Sequence, residues 1–330
     1  EQTTMSSTQS NGLIHAILLD GKGGGQLLSW DEVLLWNASM GPLWVHCDYT
    51  DDRVQDWVRN DSGLDKLTAE ALLTEETRPR TTNIGDGLLI ALRGINLNPG
   101  SEPDDMVSVR LWAEKDRVIS TRKRLLMSVQ DLMQKFSAGK GPRSTAGIVV
   151  GLAGAMVWRM SGTIDIYEDT INVLEDRILT DSNEDFRFDL AELRRHTISL
   201  RRYLSPQRDA LARLIIENVS WIDDKHRMEL REVSDRLIRH IEDIDEVRER
   251  AAITHEQLLS RVSEQLNERM YVLSVVAAIF LPLGFFTGLL GINVGGIPGA
   301  ENSYAFFIFI LILVVIVMLQ IAIFKWKKWL

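Results

Sequence analysis

Two uncharged apolar runs near one end of the chain limit its fold more than any other feature. Met270–Leu290 reads MYVLSVVAAIFLPLGFFTGLL, and Ala305–Phe324 reads AFFIFILILVVIVMLQIAIF, with Gln320 its strongly polar residue. Each run holds about 20 residues, the length an α-helix needs to cross the hydrocarbon core of a bilayer. In lipid no water satisfies the backbone, so such a run has to be helical. Two of them, close together at the end of an acidic chain, predict a pair of transmembrane helices.

The flanks orient the pair. Lys325, Lys327 and Lys328 follow the second run, Arg269 precedes the first, and no lysine or arginine lies between them. Positive residues stay on the cytoplasmic side, so both termini are expected in the cytoplasm and the short connection outside. Trp326 and Trp329 suit the membrane interface. The single cysteine, Cys47, excludes an intrachain disulfide and zinc sites with two or more cysteines, and it fits a reducing compartment. A net charge of -9 over 330 residues argues against a nucleic-acid partner, which needs a basic face. The leading EQTTMSSTQSNG is polar with no apolar core, so it reads as a disordered N-terminus (1–12) and not as a secretory signal.

Residues 13–122 read as a mixed α/β domain. LIHAILL, PLWVHCDY, DGLLIALRGINL and MVSVRLWAEKDRVIST are strand-like, the last split by a turn near Lys115 and Asp116. Cys47 is then a small buried residue on a strand. Ser29 and Glu32 have capping-box spacing at the start of SWDEVLLW. The run Gly23–Gly25 lacks the lysine and hydroxyl residue of a phosphate loop and reads as a turn. Residues 123–228 form a helical region: a long helix from SAGKGPRST to about Leu179, then two helices broken at Ser205-Pro206. The last helix starts near Glu229 and meets no breaker until Pro282, which kinks a span at most. Carried on to Gly291 it measures roughly 95 Å at 1.5 Å per residue. The expected division is a stalk and pore helix over 229–291, with its span at about 270–290. A periplasmic loop over 292–304, a second span over 305–324 and a basic tail over 325–330 complete it.

Along that helix, steps of three and four pick out Glu249, Ile253, Glu256, Ser260, Ser263, Asn267, Met270, Ser274, Ala277, Leu281, Gly284 and Gly288. The stripe is mostly acidic or polar before the span and mostly small within it. Leu258, Leu259, Val262 and Leu266 supply a neighbouring apolar face. Small residues in a span serve either close helix packing or a pore lining. Continuation into serines, an asparagine and glutamates favours a shared axis. One chain with two spans cannot enclose a pore, so several copies have to pack around it.

The stretch YVLSVVAAIFLPLGFFTGLLGIN resembles the end of the pore helix in the CorA family of divalent-cation channels and transporters. That family closes the first of two C-terminal spans with Gly-Met-Asn; here the triplet is Gly291-Ile292-Asn293. The isoleucine, the following GGIPG and the upstream LRRYLSPQRDAL (Leu200–Leu211) resemble the ZntB branch of bacterial zinc transporters. The resemblance covers the whole layout. It implies an α+β cytoplasmic domain, a long helical stalk and two C-terminal transmembrane helices, assembled as a funnel-shaped homopentamer in the bacterial inner membrane. It also implies a mouth ringed by Asn293 and a lining of Gly288, Gly284, Leu281, Ala277, Leu273, Met270 and Asn267. Leu273 in place of Ser274 is the one difference from the stripe. Isoleucine for methionine puts magnesium as the main substrate in question.

Asn293 amides, with the Gly291 and Ile292 carbonyls, supply oxygens able to replace or hydrogen-bond part of a cation's hydration shell. Glu301, the sole acid of the loop, either adds a charged ring or is an ordinary loop acid. Glu249 and Glu256, with Ser260 and Ser263, line an inner vestibule or form a solvated helix face. Met270 and Leu281 are candidate apolar constrictions that gate by dewetting. The spans hold no histidine, cysteine or carboxylate, the ligands zinc prefers, so ions there pass hydrated. His226 (near Asp223), His240 (with Asp243 one turn on) and His255 (beside Glu256) are either metal ligands or surface histidines. The expectation is transport of zinc, without a cofactor and without enzymatic chemistry. A magnesium, cobalt or nickel carrier of the same family and a non-transporting membrane sensor are the alternatives. Direction and proton coupling stay open.

The orientation has a direct check in a Cys47→Ser background. An impermeant maleimide added to intact spheroplasts should label Asn302→Cys, and should reach Asp20→Cys only after lysis; the reverse pattern overturns the assignment.

Overall fold

The computed structural model describes residues 12–75, 78–102, 104–180, 186–291, 299 and 302–326. Strand β1 (Leu13–Leu19) turns into β2 (Gly25–Leu27) through a loop in which Asp20 Oδ1 accepts from the N–H groups of Lys22, Gly23 and Gly24 at 2.7–3.0 Å. At Gly23 φ is +109°, and a Cβ would meet the Gly139 carbonyl oxygen at 2.7 Å. Glycine therefore lets this turn touch the 138–141 loop, where the Gly141 N–H donates to the Gly23 carbonyl at 2.7 Å. The glycine run is a turn, as its composition indicates.

Helix α1 (Trp30–Leu35) starts with the expected capping box, the Ser29 N–H donating to the Glu32 carboxylate at 2.6 Å. Strand β3 (Leu43–Asp48), α2 (Asp52–Asp56), a π-helical turn (Trp57–Asp61) and α3 (Lys66–Leu73) follow. Strands β4 (Arg80–Ile84), β5 (Gly87–Gly94), β6 (Val107–Ala113) and β7 (Arg117–Arg122) complete one sheet of order β2-β1-β3-β7-β6-β5-β4. All its pairs are antiparallel except β3 with β7. Both faces are covered. Leu43, Val45 and Cys47 enter a core with Trp30, Trp57 and Leu72, while Trp44 lies against Phe136 on the other side. A strand buried on both faces reads as a continuous apolar run, and β5 is buried throughout.

The helical part comprises α4 (Met127–Ser137), α5 (Thr145–Trp158), α6 (Ser161–Thr180), α7 (Arg187–Ile216), α8 (Asp224–Leu290) and α9 (Ala305–Trp326). Three details correct the sequence reading. The single helix expected up to Leu179 is two. Arg159 ends α5 and makes two 2.6 Å bonds to Asp131 of α4, while Met160 O accepts from Thr163 and Ile164 to start α6. Conversely, Ser205-Pro206 does not break α7. Leu190, Leu193, Thr197, Leu200, Leu204, Gln207, Leu211 and Leu214 are buried at unbroken steps of three and four across the proline. Interior proline costs about 3 kcal/mol, and burial of the shared face outweighs it. The last helix begins at Asp224, ahead of Glu229, because Asp223 Oδ1 accepts the His226 N–H at 2.8 Å and caps it.

By packing, the chain divides into Glu1–His255 and Glu256–Leu330, with α8 contributing residues to each. In the first unit α8 buries Leu230, Leu237, Ile241, Ile244, Val247 and Ala251. Arg201 grips Asp245 with two 3.0 Å bonds, and Arg250 reaches Glu175 at 2.5 Å. In the second unit α9 lies along α8, with Gln320 Nε2 donating to the Ala278 carbonyl at 3.1 Å. Among the described residues, three stretches are long and apolar enough to cross a membrane: Thr145–Ile178 as well as the two expected. The most apolar window of the first is 56% buried inside the protein, while those of Asp224–Leu289 and Ala305–Trp326 are 0% buried. α5 is therefore a core helix.

Leu204→Ala should lower stability by about 2–5 kcal/mol, since it empties a fully packed position on α7. Pro206→Ala should leave the thermal midpoint of detergent-purified protein unchanged or raised; a lower midpoint would contradict the continuous helix.

Candidate ion pathway and cation-binding groups

Every stripe position from Glu249 to Gly288 is exposed on α8: Glu249, Ile253, Glu256, Ser260, Ser263, Asn267, Met270, Ser274, Ala277, Leu281, Gly284 and Gly288. Leu273 is exposed as well, and the Ser274 hydroxyl donates to the Met270 carbonyl at 2.7 Å. The partly covered positions are instead Val275, Ala278, Ile279, Pro282, Leu283 and Phe286, the face on which Gln320 of α9 reaches the Ala278 carbonyl. A Cβ added at Gly284 or Gly288 would meet nothing within 4 Å. Packing inside this chain therefore does not explain the small residues there. Gly291, which ends the helix with its N–H on the Thr287 carbonyl at 2.9 Å, is exposed. Ile292, Asn293 and Glu301 lie outside the described residues.

In the first unit the helix surface is acidic. Glu168 on α6 faces Asp243, Asp165 and Glu246. Partial burial, and then these like charges, hold its carboxyl above the ordinary range. The Glu246–Arg250 pair read from spacing is present at 4.0 Å, but the shorter partner of Arg250 is Glu175.

The three candidate histidines take separate roles. His226 Nδ1 lies 2.6 Å from the capping Asp223 carboxylate and its Nε2 3.5 Å from Ser144 Oγ, so it ties the start of α8 to α5. His240 is buried, with Asp243 at 3.8 Å and Ser161 Oγ at 3.5 Å. Burial holds it below its ordinary value of 6.5, against the opposing charge of Asp243. His255 is half-buried near the end of the first unit.

Among the described residues, one group of three metal-ligating side chains converges: Glu102, Asp104 and His196. The sequence reading missed it. Glu102 and Asp104 sit in the β5–β6 connection, read only as a loop, and His196 lies on α7. No spacing rule joins residues so far apart in the chain; the sole local hint was an acid-rich SEPDD.

Two further titratable groups are sealed in the core. The Cys47 thiol is pushed up by burial, which makes it inert. His46 is fully buried, its Nδ1 2.8 Å from Ser120 Oγ, and desolvation holds it well below 6.5.

A mixed sheet wrapped by helices, a helix running from that domain into apolar sequence, and a second apolar helix after it define a class of integral membrane proteins. The CorA-like Mg2+ transporter family matches residues 39–327, and the chain belongs to the CorA family. It is 37% identical over 98% of both chains to a divalent cation transporter, CmaX, of Pseudomonas aeruginosa. It is 36% identical over 90% of both chains to the zinc transport protein ZntB of Yersinia enterocolitica. The solved full-length CmaX structure superimposes with a TM-score of 0.87 at 37% identity, covering 98% of this chain and 100% of that one. The CorA magnesium transporter of Methanocaldococcus jannaschii shares the fold, with a TM-score of 0.81 at 19% identity over 96% of this chain and 98% of that one.

The buried histidines set a pH dependence. A folded-state pKa below 6.5 means that the unfolded chain binds the proton first, so stability is complete above about pH 6.5 and is lost as pH falls toward the folded values. Thermal midpoints should decline between about pH 6.5 and 5, and the decline should be smaller in His240→Gln; an identical slope would contradict this origin.

Proposed function

We propose that the chain is a divalent-cation transporter whose main cargo is zinc, acting as a homopentamer in the bacterial inner membrane with both termini cytoplasmic. The observation that carries the reading is the uninterrupted exposure of the stripe from Glu249 to Gly288. A helix in lipid has no reason to leave small and polar residues uncovered; copies around an axis cover them and line a path with them. The family membership supports the same reading.

In this mechanism a hydrated cation is captured outside by a ring of Asn293 amides, assisted by the Gly291 and Ile292 carbonyls and by Glu301. It passes Gly288, Gly284, Leu281, Ala277, Leu273 or Ser274, Met270 and Asn267 with much of its water. Met270 and Leu281 narrow the path and close it by dewetting. Ser263, Ser260, Glu256 and Glu249 then receive it in a negative vestibule. The expected domain division follows: stalk and pore helix over 229–291, loop over 292–304, second span over 305–324 and basic tail over 325–330. Zinc is favoured by the identity to ZntB and by Ile292 in place of methionine. The family's description as Mg2+ transporters favours a second reading, a magnesium, cobalt or nickel carrier, which competition among these ions separates.

Liposomes holding a zinc dye should report influx with the purified protein. Asn293→Ala should slow it on the order of tenfold at low zinc, the loss of about one hydrogen-bonded contact in the capturing ring. No zinc flux with the unaltered protein, or the same flux in the variant, would sink the reading.

A further inference from the structure

We propose that Glu102, Asp104 and His196 form a binding site for a zinc-class divalent cation within one protomer, separate from the transport path. His196 Nε2 lies 3.8 Å from Asp104 Oδ1 and 3.9 Å from Glu102 Oε2, and the three ligand atoms all lie within 4.8 Å of one another. A tetrahedral ion with bonds of 2.0–2.1 Å sets its ligand atoms about 3.3 Å apart, so a closure of about half an ångström between Asp104 and His196 and a swing of the exposed Glu102 complete the arrangement.

The independent sign of a missing ligand is Asp104. Its side chain is 10% exposed, and its Oδ1, which points at His196, has no hydrogen-bond partner. A buried carboxylate oxygen left bare is costly. The cation now at the site does not serve Asp104. Arg195, on the exposed side, donates to His196 Nε2 at 2.9 Å, which occupies that nitrogen's lone pair but leaves Asp104 Oδ1 unpaired. A dication replacing the guanidinium would use both atoms, and the exposed Arg195 guanidinium keeps the Glu192 carboxylate, 3.8 Å away on the same helix, as its partner. The frame is rigid on the other sides. The Tyr167 ring stacks on His196 with centroids 5.9 Å apart, and the Ser199 hydroxyl donates to the Asp104 carbonyl at 3.5 Å. Imidazole with two carboxylates suits zinc, cobalt or nickel, whereas magnesium prefers all-oxygen octahedral sites and keeps its water. Three protein ligands leave a position for water.

Full-length protein in detergent, stripped with a chelator and titrated with Zn2+ by equilibrium dialysis, tests this. Glu102→Gln and Asp104→Asn should each weaken one bound zinc per chain by at least about tenfold. Glu102 is exposed, so its variant keeps the fold if Asp104→Asn does not. Co2+ should give a ligand-field spectrum that both variants lose, and millimolar Mg2+ should not displace the zinc. Asn293→Ala, which removes the proposed pore ring, should retain this zinc whether or not flux survives. Superimposable titrations for Glu102→Gln and the unaltered protein, displacement by Mg2+, or loss of this zinc in Asn293→Ala would each overturn the site.

Discussion

α8 satisfies its own backbone from Asp224 to Leu290 except at the Ala278 carbonyl, which Pro282 cannot serve and Gln320 of α9 does, and that is why one element can serve in two solvents. Its first part buries Leu230, Leu237, Ile244 and Ala251 against the helices of the α+β domain, so the hydrophobic effect holds it there. Its last part is apolar and uncovered within the chain, a composition suited to lipid, where no water reaches the backbone. There the peptide groups need internal partners and the side chains need only be apolar or covered. A strand or loop could not make that passage. The cross-helix pairs Arg201–Asp245 and Arg250–Glu175 anchor the helix within the first unit through charge-assisted bonds.

The exposed stripe gains its meaning from what α9 covers and what it leaves. α9 takes the face of Val275, Ile279, Pro282 and Phe286, a quarter-turn or more from Met270, Ala277, Gly284 and Gly288. Two kinds of apolar surface result on one helix: a partly covered face, and a face at whose glycines an added Cβ would meet nothing within 4 Å. Small residues are useful where backbones approach closely, so the second face is suited to further copies of the chain.

Apolarity alone was a poor guide in one place and proline in another. α5 is nearly all apolar, composed like a short span, yet it is the central helix between the sheet and its neighbours. Length and composition describe what a helix tolerates; burial depends on what surrounds it. Pro206 carries a strong local preference for ending a helix, and α7 runs through it because eight buried positions stay in phase on either side. Arg159 did the opposite. It ended an otherwise helical pattern because Asp131, on another helix, offered it a bidentate partner that no local rule anticipates.

The elements whose signals are local were legible in the chain: the apolar spans, the Ser29 capping box, the Gly23 turn, the short apolar runs of β1, β3, β5, β6 and β7, and the periodic stripe of α8. Period, charge and capping act over a few residues, and physics at that range is written in order along the sequence. The order of the sheet, the break at Arg159, the unbroken α7 and the convergence of Glu102, Asp104 and His196 were not. Each depends on groups brought together from distant parts of the chain, and only the packed tertiary structure decides which of them meet.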